Sequence, residues 1–241
     1  MNTAADVSIV FVNWNSAPYL ISAITSIYKH TQNLDFEIIV VDNASPSQDA
    51  DLVKETFPEI QLIRSAANLG FGRANNLGFR TATGQYILFL NPDTRLISPA
   101  INVMLEELKS VARAGAIGCK LLNSDLSVQT SCIQTFPTIL NQVLDADSLR
   151  NRWPKSRLWG TAPLYFDTED AAEVEVISGA CLMVKRHVFE EISQFTERYF
   201  MYAEDLDLCR KIVRAGYKNL YTGQAKVIHY GGGSSIPESA T

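Results

Sequence analysis

The 241-residue chain lacks the features that mark several large classes of protein. It has no apolar run near the ~20 residues of a membrane-spanning helix, and no basic segment followed by an apolar core, as a secretory signal has. Acidic residues outnumber lysine and arginine by 26 to 21, which argues against a general nucleic-acid surface. We therefore expect a cytoplasmic protein without a nucleic-acid partner, either free or held peripherally at the inner face of the cell membrane.

Cysteine is scarce, and its spacing argues against two further classes of protein. The four cysteines form no CxxC pair, and no histidine stands at zinc-finger spacing from them. Each lies among apolar residues, so we predict four reduced core thiols, as is usual in a reducing compartment. The positions are Cys119, Cys132, Cys181 and Cys209.

The common nucleotide and hydrolase motifs are also absent. No Walker sequence, HExxH or GxSxG occurs. The stretch 70–75 is close to the dinucleotide fingerprint GxGxxG, but Asn75 stands where the third glycine is required, and the stretch follows the third predicted strand instead of the first. We therefore reject an NAD site. Gly70, with Asn68, Arg73 and Asn75, nevertheless suits a wall around a nucleotide sugar.

Strand and helix patterns alternate through the first half of the chain. Apolar, β-branched runs typical of strands buried on both faces are separated by segments with helical spacing. The predicted strands are Val7–Val12, Phe36–Val41, Ile60–Arg64 and Gln85–Leu90, and the predicted helices are Ala17–His30, Gln48–Phe57, Arg73–Thr81 and Pro99–Ala112. This alternation predicts an α/β fold with a doubly wound, mostly parallel central sheet. In such sheets ligands bind beyond the carboxyl ends of the strands.

The second half of the chain is less regular. Residues 123–170 hold three prolines and two of the three tryptophans without a clear period, which is typical of a long functional insertion and too aromatic for a disordered linker. Strand patterns return at Val174–Ser178, Ala180–Lys185 and Ala225–Tyr230, with an acid-rich helix between the last two. A glycine-serine run at 231–235 follows, and its composition predicts flexibility.

Three strand ends carry residues suited to a ligand. Asn91-Pro92-Asp93 follows the most apolar strand, where a carboxylate can hold Mg²⁺ or Mn²⁺ while substrate phosphates supply other ligands, yet the same residues are good turn formers. His229 ends the last strand beside glycines and either completes a divalent site or is structural. Asp42 either accepts a hydrogen bond from a base imide N–H or starts a turn.

Three acids crowd the start of the acid-rich helix. At about 100° per residue, Asp205 projects near the middle of the apolar arc, Glu204 falls at its edge and Asp207 points away from it. A carboxylate aimed at the buried side is costly unless it is paired, hydrogen-bonded or employed. Asp207 is explained as an acid in a first helical turn, whereas Asp205 is either a local cap or a functional group.

Seven segments in chain order resemble the family 2 glycosyltransferases of the GT-A fold, and within them the bacterial rhamnosyltransferase-like branch. The segments are VSIVFVNWN (7–15), VVDNAS (40–45), NLGFGRANN (68–76), LNPDT (90–94), SGACLM (178–183), FMYAEDLDLC (200–209) and HYGGGSS (229–235). One such segment would be weak evidence, but seven in order indicate the family. The resemblance runs over nearly the whole chain and is poor only in 123–172.

The resemblance implies a role for each matched polar residue on the donor side. Asp42 would hydrogen-bond the nucleotide base, with Asn13 and Asn15 lining the same pocket. Asp93 matches the last acid of the metal-binding DxD motif, whose first acid is Asn91 in this chain.

The remaining matched residues imply the metal site and the catalytic base. His229 matches a position that completes the metal site in some relatives, and Asp205 matches the base of inverting members, with Glu204 orienting the acceptor or lying behind the base. The expected cofactor is Mn²⁺ or Mg²⁺. The expected reaction is inverting transfer from a nucleotide-diphospho-sugar, dTDP-rhamnose being the guess for this branch, to a glycan or lipid-linked saccharide.

The resemblance also divides the chain and leaves two alternatives open. Within one domain over 1–241, residues 1–122 would form the nucleotide-sugar-binding half, 123–235 the acceptor and catalytic half, and 236–241 a tail. One alternative is a nucleotide-sugar binding module with little turnover. The other is a nucleotidyltransferase, whose glycine-rich loop should follow the first strand, where this chain has Asn13-Trp14-Asn15.

Overall fold

The computed structural model describes residues 5–144, 147–153, 156, 158 and 171–231. Part of the irregular segment predicted at 123–170, the glycine-serine run beyond Gly231 and the tail at 236–241 lie outside the described residues. Within the described ranges, no helix is both long enough and apolar enough to cross a bilayer.

The elements alternate as predicted through the first half of the chain. The strands of the described residues are β1 Val7–Asn13, β2 Phe36–Asp42, β3 Gln61–Arg64, β4 Tyr86–Leu90, β5 Thr94–Leu96, β6 Ala114–Leu122, β7 Ile133–Gln134, β8 Ala172–Val174, β9 Val176–Ile177, β10 Cys181–Lys185 and β11 Lys218–His229. The α-helices are α1 Ala17–His30, α2 Ala50–Thr56, α3 Phe71–Phe79, α4 Ala100–Ser110, α5 Ile139–Val143, α6 Asp147–Arg152, α7 Arg186–Glu191 and α8 Glu204–Arg214. Every element predicted before residue 113 is present, with bounds shifted by at most about two residues, as helix and strand ends commonly are.

The main sheet has nine strands of mixed direction. Its order is β3-β2-β1-β4-β10-β6-β11-β5, and β8 pairs with β11 outside this path. The neighbours among β1 to β4 are parallel, as are β6 and β11, while β10 runs antiparallel to both β4 and β6. The prediction of an α/β fold with a mostly parallel central sheet is therefore confirmed.

Strand β6 is the main element that the sequence patterns did not predict. Its sequence, Ala-Gly-Ala-Ile-Gly-Cys-Lys-Leu-Leu, is rich in residues with low strand propensity. It is nevertheless central, because it pairs with β10 on one side and β11 on the other. A Cβ atom on Gly118 would lie 2.1 Å from Ile177 Cγ2, so this glycine leaves room for the side chain packed above it.

The strand predictions at the end of the chain were only partly right. Val174–Ser178 is divided between β8 and β9, which pair with β11 and β7 respectively. The strand predicted at Ala225–Tyr230 is the last part of the 12-residue β11, whose pairing with β6 is irregular between Thr222 and Lys226. That irregularity interrupts the alternating pattern and conceals the longer strand from sequence analysis.

Both faces of the sheet are covered by helices. Along β1, Ile9 packs into a core with Leu20 of α1 and Met104 of α4, whereas Val10 belongs to a second core with Ile212 of α8. This alternation follows from the two-residue period of a strand. It explains why β1 is apolar at nearly every position, since each face buries its own half of the side chains.

The polar strand ends meet at one edge of the sheet. Asn13 and Asp42 are register partners at the ends of β1 and β2. Leu90 ends β4 opposite Cys181, the first residue of the antiparallel β10. His229 ends β11, and the parallel pairing of β11 with β6 runs to that same end. The topology therefore gathers the predicted ligand-binding segments where α/β sheets bind ligands.

The cysteines agree with their prediction as reduced core thiols. All four are buried and free. Burial raises the pKa of Cys209 to about 12, and that of Cys132 to about 11, so both thiols stay protonated at neutral pH. Protonated, buried thiols are chemically inert.

A substitution at Gly78 would test how tightly α3 packs on the sheet. A Cβ atom there would lie 2.6 Å from Val10 Cγ1 and 3.1 Å from Val41 Cγ2. Alanine in a helix interior is favoured over glycine by about 1 kcal/mol, but overpacking costs about 1–3 kcal/mol. We expect Gly78→Ala to lower the free energy of unfolding, measured by urea denaturation.

A double-mutant cycle separates the two effects on Gly78. Val10→Ala removes the nearest atom, so Gly78→Ala should be less harmful in that background than in the wild type. Equal effects of Gly78→Ala in both backgrounds would contradict this packing argument.

Candidate functional site

Asn13 is the centre of the polar corner where β1 and β2 end. Its buried side-chain amide donates to Asp49 Oδ1 at 2.9 Å, Ser45 Oγ at 3.2 Å and Asp42 Oδ1 at 3.3 Å. Its Oδ1 accepts from Ser16 Oγ at 2.9 Å. Both polar atoms of the Asn13 side chain are hydrogen-bonded inside the protein. Asn13 therefore fixes the conformation of the loops at this corner and orients the Asp42 carboxylate.

Asn15 and Asp42 are joined through this corner. The Asn15 backbone N–H donates to Ser45 Oγ at 3.0 Å, and Ser45 Oγ also accepts from Asn13. Asp42 is buried, and its Oδ2 lies 3.9 Å from Arg64 Nη1, a side chain that sequence analysis did not single out. The structure thus brings together three predicted donor-side residues and adds a cation beside the carboxylate.

A second predicted segment, the loop after β3, is tied to the same corner. Asn43 Nδ2 donates to Asn68 Oδ1 at 2.9 Å, and Asn43 Oδ1 accepts from the Leu69 N–H at 2.8 Å. Asn68 Oδ1 also accepts from the Gly70 N–H at 3.0 Å. The loop therefore forms a wall beside Asp42, with Asn68 exposed on it.

Arg73 and Asn75, also predicted on this wall, have contacts within the protein. Arg73 is exposed, and its Nε donates to the Glu197 carbonyl oxygen at 2.8 Å. Asn75 is buried, and its Nδ2 donates to the Phe71 carbonyl oxygen of its own helix at 3.1 Å. Both contacts support α3 and the segment that precedes α8.

The Asn91-Pro92-Asp93 segment and His229 meet at the ends of β4 and β11. His229 Nε2 lies 3.4 Å from Asp93 Oδ1 and 3.4 Å from Asn91 Nδ2. The segment is also a turn, because Thr94 Oγ1 donates to the Asn91 carbonyl oxygen at 2.7 Å. The segment can therefore be a turn and also carry a metal ligand.

Gln129 orients His229 and was not identified from the sequence. Its Nε2 donates to the His229 carbonyl oxygen at 2.6 Å, so its Oε1 is the atom 3.0 Å from His229 Nδ1. An amide oxygen only accepts, and Nδ1 therefore carries a proton. The ring thereby turns its other nitrogen, Nε2, towards Asp93 and Asn91.

This group of side chains fits a divalent cation. A carboxylate oxygen and an imidazole nitrogen, 3.4 Å apart, are ligand types that Mn²⁺ accepts. A metal-binding histidine commonly donates its other ring N–H to a neighbouring acceptor, which fixes the orientation of the ring, and the hydrogen bond from His229 Nδ1 to Gln129 is of this type. No cluster of three or more His, Cys, Asp or Glu side chains suited to a metal occurs among the described residues. A bound ion would therefore need further ligands from its substrate.

The acids of α8 are positioned by the chain that precedes the helix. The Phe71 N–H donates to the Phe200 carbonyl oxygen at 3.0 Å. A Cβ atom on Gly70, whose φ is +77°, would lie 2.1 Å from that same oxygen, so only glycine fits there. Tyr202 and Ala203 have φ values of 70° and 68°, and they turn the chain sharply into Glu204.

The helical wheel was wrong about which acid is most buried. Glu204 is 8% exposed, whereas Asp205 and Asp207 are half-buried. A wheel counts only the apolar stripe of the helix itself, but Glu204 is covered by α3, where a Cβ on Gly72 would lie 3.9 Å from Glu204 Cβ. Asp207 lies beside Lys211 of the same helix, with its Oδ2 3.9 Å from Lys211 Nζ.

Glu204 differs from its neighbours in electrostatics as well as burial. Its Oε2 has no hydrogen-bond partner among the described residues. Burial raises the pKa of Glu204, and the nearby charge of Asp205 raises it further. Asp205, in contrast, accepts from the Leu206 N–H at 2.8 Å and the Gly179 N–H at 3.2 Å. The pair therefore combines a carboxyl that resists ionisation with a hydrogen-bonded, solvent-accessible carboxylate.

The turn at 178–180 connects the acids of α8 to the candidate metal-binding side chains. The Gly179 N–H donates to Asp205 Oδ2, and the Ala180 carbonyl oxygen accepts from the Asn91 N–H at 3.0 Å. Adjacent residues of one turn thus contact a carboxylate at the start of α8 and the turn that carries Asp93. The candidate base and the candidate metal group lie on two sides of a single short segment.

The sheet and its polar edge define an α/β protein of the GT-A fold. Residues 8–193 match the family described as "Glycosyl transferase family 2". The match covers more than half of the chain, and the chain therefore belongs to this family. Glycosyl transfer is the class of activity that the family performs.

Curated relatives agree with this assignment. The chain is 30% identical over 234 residues to an N-acetylglucosaminyl-diphospho-decaprenol L-rhamnosyltransferase of Mycobacterium tuberculosis (strain CDC 1551 / Oshkosh), covering 92% of this chain and 75% of the relative. It is 27% identical to the rhamnosyltransferase WbbL of Escherichia coli (strain K12), covering 81% of this chain and 73% of that one. The chain is thus rhamnosyltransferase-like within its family.

Solved structures share the fold at low sequence identity. GalNAc-T7 with UDP, GalNAc and Mn²⁺ superimposes with a TM-score of 0.69 at 15% identity, covering 95% of this chain and 44% of that chain. The mannosyltransferase PcManGT from Pyrobaculum calidifontis, in complex with GDP-Man and Mn²⁺, gives 0.63 at 18% identity, covering 99% and 59%. The chain spans about half of each of these two proteins.

The burial of Glu204 predicts a pH-dependent stability difference. A raised carboxyl pKa means that the folded state keeps a proton that the unfolded chain has lost, so stability falls as the pH rises above the ordinary value of 4.5. Glu204→Gln removes this penalty. We expect the variant to unfold at a higher urea concentration than the wild type at pH 7, and the difference to shrink towards pH 4.

Asp207→Asn is the matched control for Glu204→Gln. Asp207 accepts from Thr196 Oγ1 and lies near Lys211, so its amide should lower stability at pH 7. A Glu204→Gln difference that does not vary with pH would contradict the argument from burial.

Proposed function

We propose that this chain transfers a sugar, with inversion, from a nucleotide-diphospho-sugar to a lipid-linked saccharide. The observation that carries the proposal is the 178–180 turn, which contacts Asp205 on one side and the segment holding Asp93 on the other. Direct displacement needs both functions close together, because one group serves the incoming hydroxyl and the other the departing diphosphate.

The nucleotide is assigned to the corner where β1 and β2 end. Asp42, held by Asn13 beside the exposed Asn15, would accept a hydrogen bond from the base. Asn68 and the Gly70 loop would form the adjoining wall around the ribose and sugar. These contacts lie in residues 1–122, the half that we assign to the donor. The rhamnosyltransferase names of two relatives support dTDP-rhamnose as the first donor to test.

The diphosphate is assigned to the edge between β4 and β11. Asp93 and His229 would hold Mn²⁺ or Mg²⁺, with Gln129 keeping the imidazole Nε2 turned towards the ion. Such an ion, when bound, neutralises the negative charge that develops on the departing nucleoside diphosphate. Solved neighbours that contain Mn²⁺ support this choice of cofactor.

Asp205 is assigned as the general base. Its carboxylate is half-buried, and the N–H groups of Leu206 and Gly179 hold it in orientation. It would take the proton from the acceptor hydroxyl as that oxygen attacks the anomeric carbon and the bond to the diphosphate breaks. A half-buried position leaves the carboxylate within reach of the acceptor, which arrives from solvent.

Glu204 is assigned a supporting role behind the base. Its burial beneath α3 keeps it from meeting an acceptor as freely as Asp205 does, and its raised pKa favours the neutral form. A neutral neighbour would spare Asp205 the repulsion of a second full charge. The exposed rings of Phe200 and Tyr202 precede these acids and offer apolar faces for an acceptor sugar.

One assay separates the proposed function from its two alternatives. The chain is incubated with dTDP-rhamnose, Mn²⁺ and a polyprenyl-diphosphate-linked N-acetylglucosamine, and the released nucleotide is identified. Nucleoside diphosphate released with acceptor-dependent turnover supports transfer. Donor binding without release would support a binding module, and pyrophosphate from a nucleoside triphosphate would support a nucleotidyltransferase.

Asp205→Asn should abolish transfer and leave donor binding nearly intact. Loss of a general base lowers the rate about 10²–10⁴-fold, whereas the nucleotide contacts are on other elements. Turnover is measured by nucleoside diphosphate release, and binding by the thermal shift that the donor produces. Asp207→Asn is the control and should keep its activity; full activity in Asp205→Asn would remove it as the base.

Asp93→Ala should weaken metal-dependent donor binding. Loss of a residue that only hydrogen-bonds a metal ligand commonly lowers metal affinity about 10–100-fold. Loss of a direct ligand such as Asp93 should lower it at least as much. The measurement is the donor-induced thermal shift as Mn²⁺ is titrated. Glu106→Ala, on the exposed face of α4, should leave the Mn²⁺ dependence unchanged; an unchanged Mn²⁺ dependence in Asp93→Ala would refute the assignment.

A further inference from the structure

A cleft lies between helix α1 and strand β5, the strand at one end of the main sheet. Its volume is about 520 Å³, which is in the range of sites that hold small molecules. Two of the residues that line it, Ser26 and Leu96, are buried, and the Leu96 N–H donates to Ser26 Oγ at 2.9 Å. Because this hydrogen bond joins the edge of β5 to the helix, the cleft is a fixed part of the fold.

Three basic side chains line the cleft. Lys29 and His30 come from the last turn of α1, and Arg95 comes from the middle of β5. Among the described residues, no acidic side chain lines the cleft, and none of the three bases makes an ion pair or a side-chain hydrogen bond. The chain has a net charge of −5, so the missing partner does not reflect a shortage of acids.

Each of these cations also has a local reason for its position. A base in the last turn of a helix gains from the helix dipole, and a charged side chain on an end strand discourages pairing with another chain. These reasons apply to Lys29 and to Arg95 separately, and they do not require the two side chains to share a cleft. The convergence of unpaired bases from two different elements is what indicates a ligand.

Hydroxyl groups of α1 line the same cleft. Ser22 and Thr25 lie on the side of the helix that carries Lys29, at spacings of three and four residues. Thr25 Oγ1 donates to the Ile21 carbonyl oxygen at 2.8 Å, so its proton is already used. The Ser22 side chain has no hydrogen bond within the described part of the chain and can donate to a ligand. The cleft therefore presents donors without matching acceptors.

We propose that this cleft binds the phosphate group of a phosphorylated ligand. A phosphate ester carries a charge of about −1.5 to −2 and three strong acceptor oxygens. These oxygens suit the ammonium of Lys29, the planar guanidinium of Arg95 and the hydroxyl of Ser22. A carboxylate has a single charge and two oxygens, and it would leave more of these donors unmatched. A free phosphorylated compound and a lipid headgroup share this chemistry.

The cleft is separate from the site assigned to the donor. None of the residues that line it is among those assigned to the nucleotide, the metal or the base. Strand β5 nevertheless begins one residue after Asp93, so a phosphate held by Arg95 would contact the strand that leaves the candidate metal-binding side chains. The proposal goes beyond the proposed function and does not depend on it.

The first test measures binding of inorganic pyrophosphate by isothermal titration calorimetry. EDTA is present, so that no divalent ion can hold the probe at Asp93 and His229, and neither donor nor acceptor is added. We expect binding that weakens as sodium chloride is raised, since salt screens the cations. Lys29→Gln combined with Arg95→Gln should weaken binding at least about tenfold, because hydrogen bonds to charged groups are among the stronger ones.

A second measurement distinguishes the two sources of phosphate. The protein is floated with vesicles of phosphatidylcholine, with and without phosphatidic acid. Pyrophosphate binding that the double variant weakens supports a free phosphorylated compound as the ligand. Binding only to the vesicles that contain phosphatidic acid, weakened by the same variant, supports a lipid headgroup.

The matched control is Arg80→Gln combined with Arg214→Gln, which removes two exposed cations from other parts of the surface. This control should bind both probes as the wild type does, and equal urea midpoints verify that every variant is folded. The proposal is overturned if the wild type binds neither probe, or if the cleft variant binds like the wild type. It is also overturned if the control loses as much binding as the cleft variant, since that result would reveal only a general attraction of anions to surface charge.

Discussion

The candidate site depends on one contact, the docking of the chain before α8 against α3. Asn76 is buried and bonds Phe195 in both directions, donating to its carbonyl oxygen at 2.9 Å and accepting from its N–H at 3.1 Å. Farther along, the Phe200 carbonyl oxygen occupies the space that a side chain at Gly70 would need. Because α8 begins four residues after Phe200, the position of its acids follows from this contact. A helix placed this way presents its first turn to the edge where the strands end.

At that edge lie the adjacent acids of α8, whose negative charges would repel each other if their surroundings did not treat them differently. The acids at the start of α8 gain from the N-terminal end of the helix dipole, worth about 0.3–1 kcal/mol each. Burial opposes this gain for Glu204 and raises its pKa, while backbone N–H groups hold Asp205 near solvent. The first turn of the helix therefore holds one covered acid with a raised pKa beside one that stays near solvent. Different roles for adjacent acids require only that one is covered and the other is not.

Much of the fold was predictable because its first half follows regular patterns. Apolar runs, helical spacing and turn residues located every element before residue 113 except the short strand β5, and they located the strand ends that carry Asp42 and Asp93. Sequence analysis failed where tertiary packing overrides local preference. Strand β6 is rich in alanine and glycine, and it is a strand because β10 and β11 pair with it on both sides. The burial order of Glu204 and Asp205 was wrong because α3, which is distant in sequence, covers the first of them.

The sequence by itself determined the alternation of elements, the family and the chemical types of the site residues, since these depend on short segments. Only the tertiary structure decided which of these residues meet. Gln129 orients His229 from 100 positions away, and Gly179 reaches Asp205 across 26 positions. No local pattern encodes such pairs, because they form when the sheet brings its strand ends to one edge.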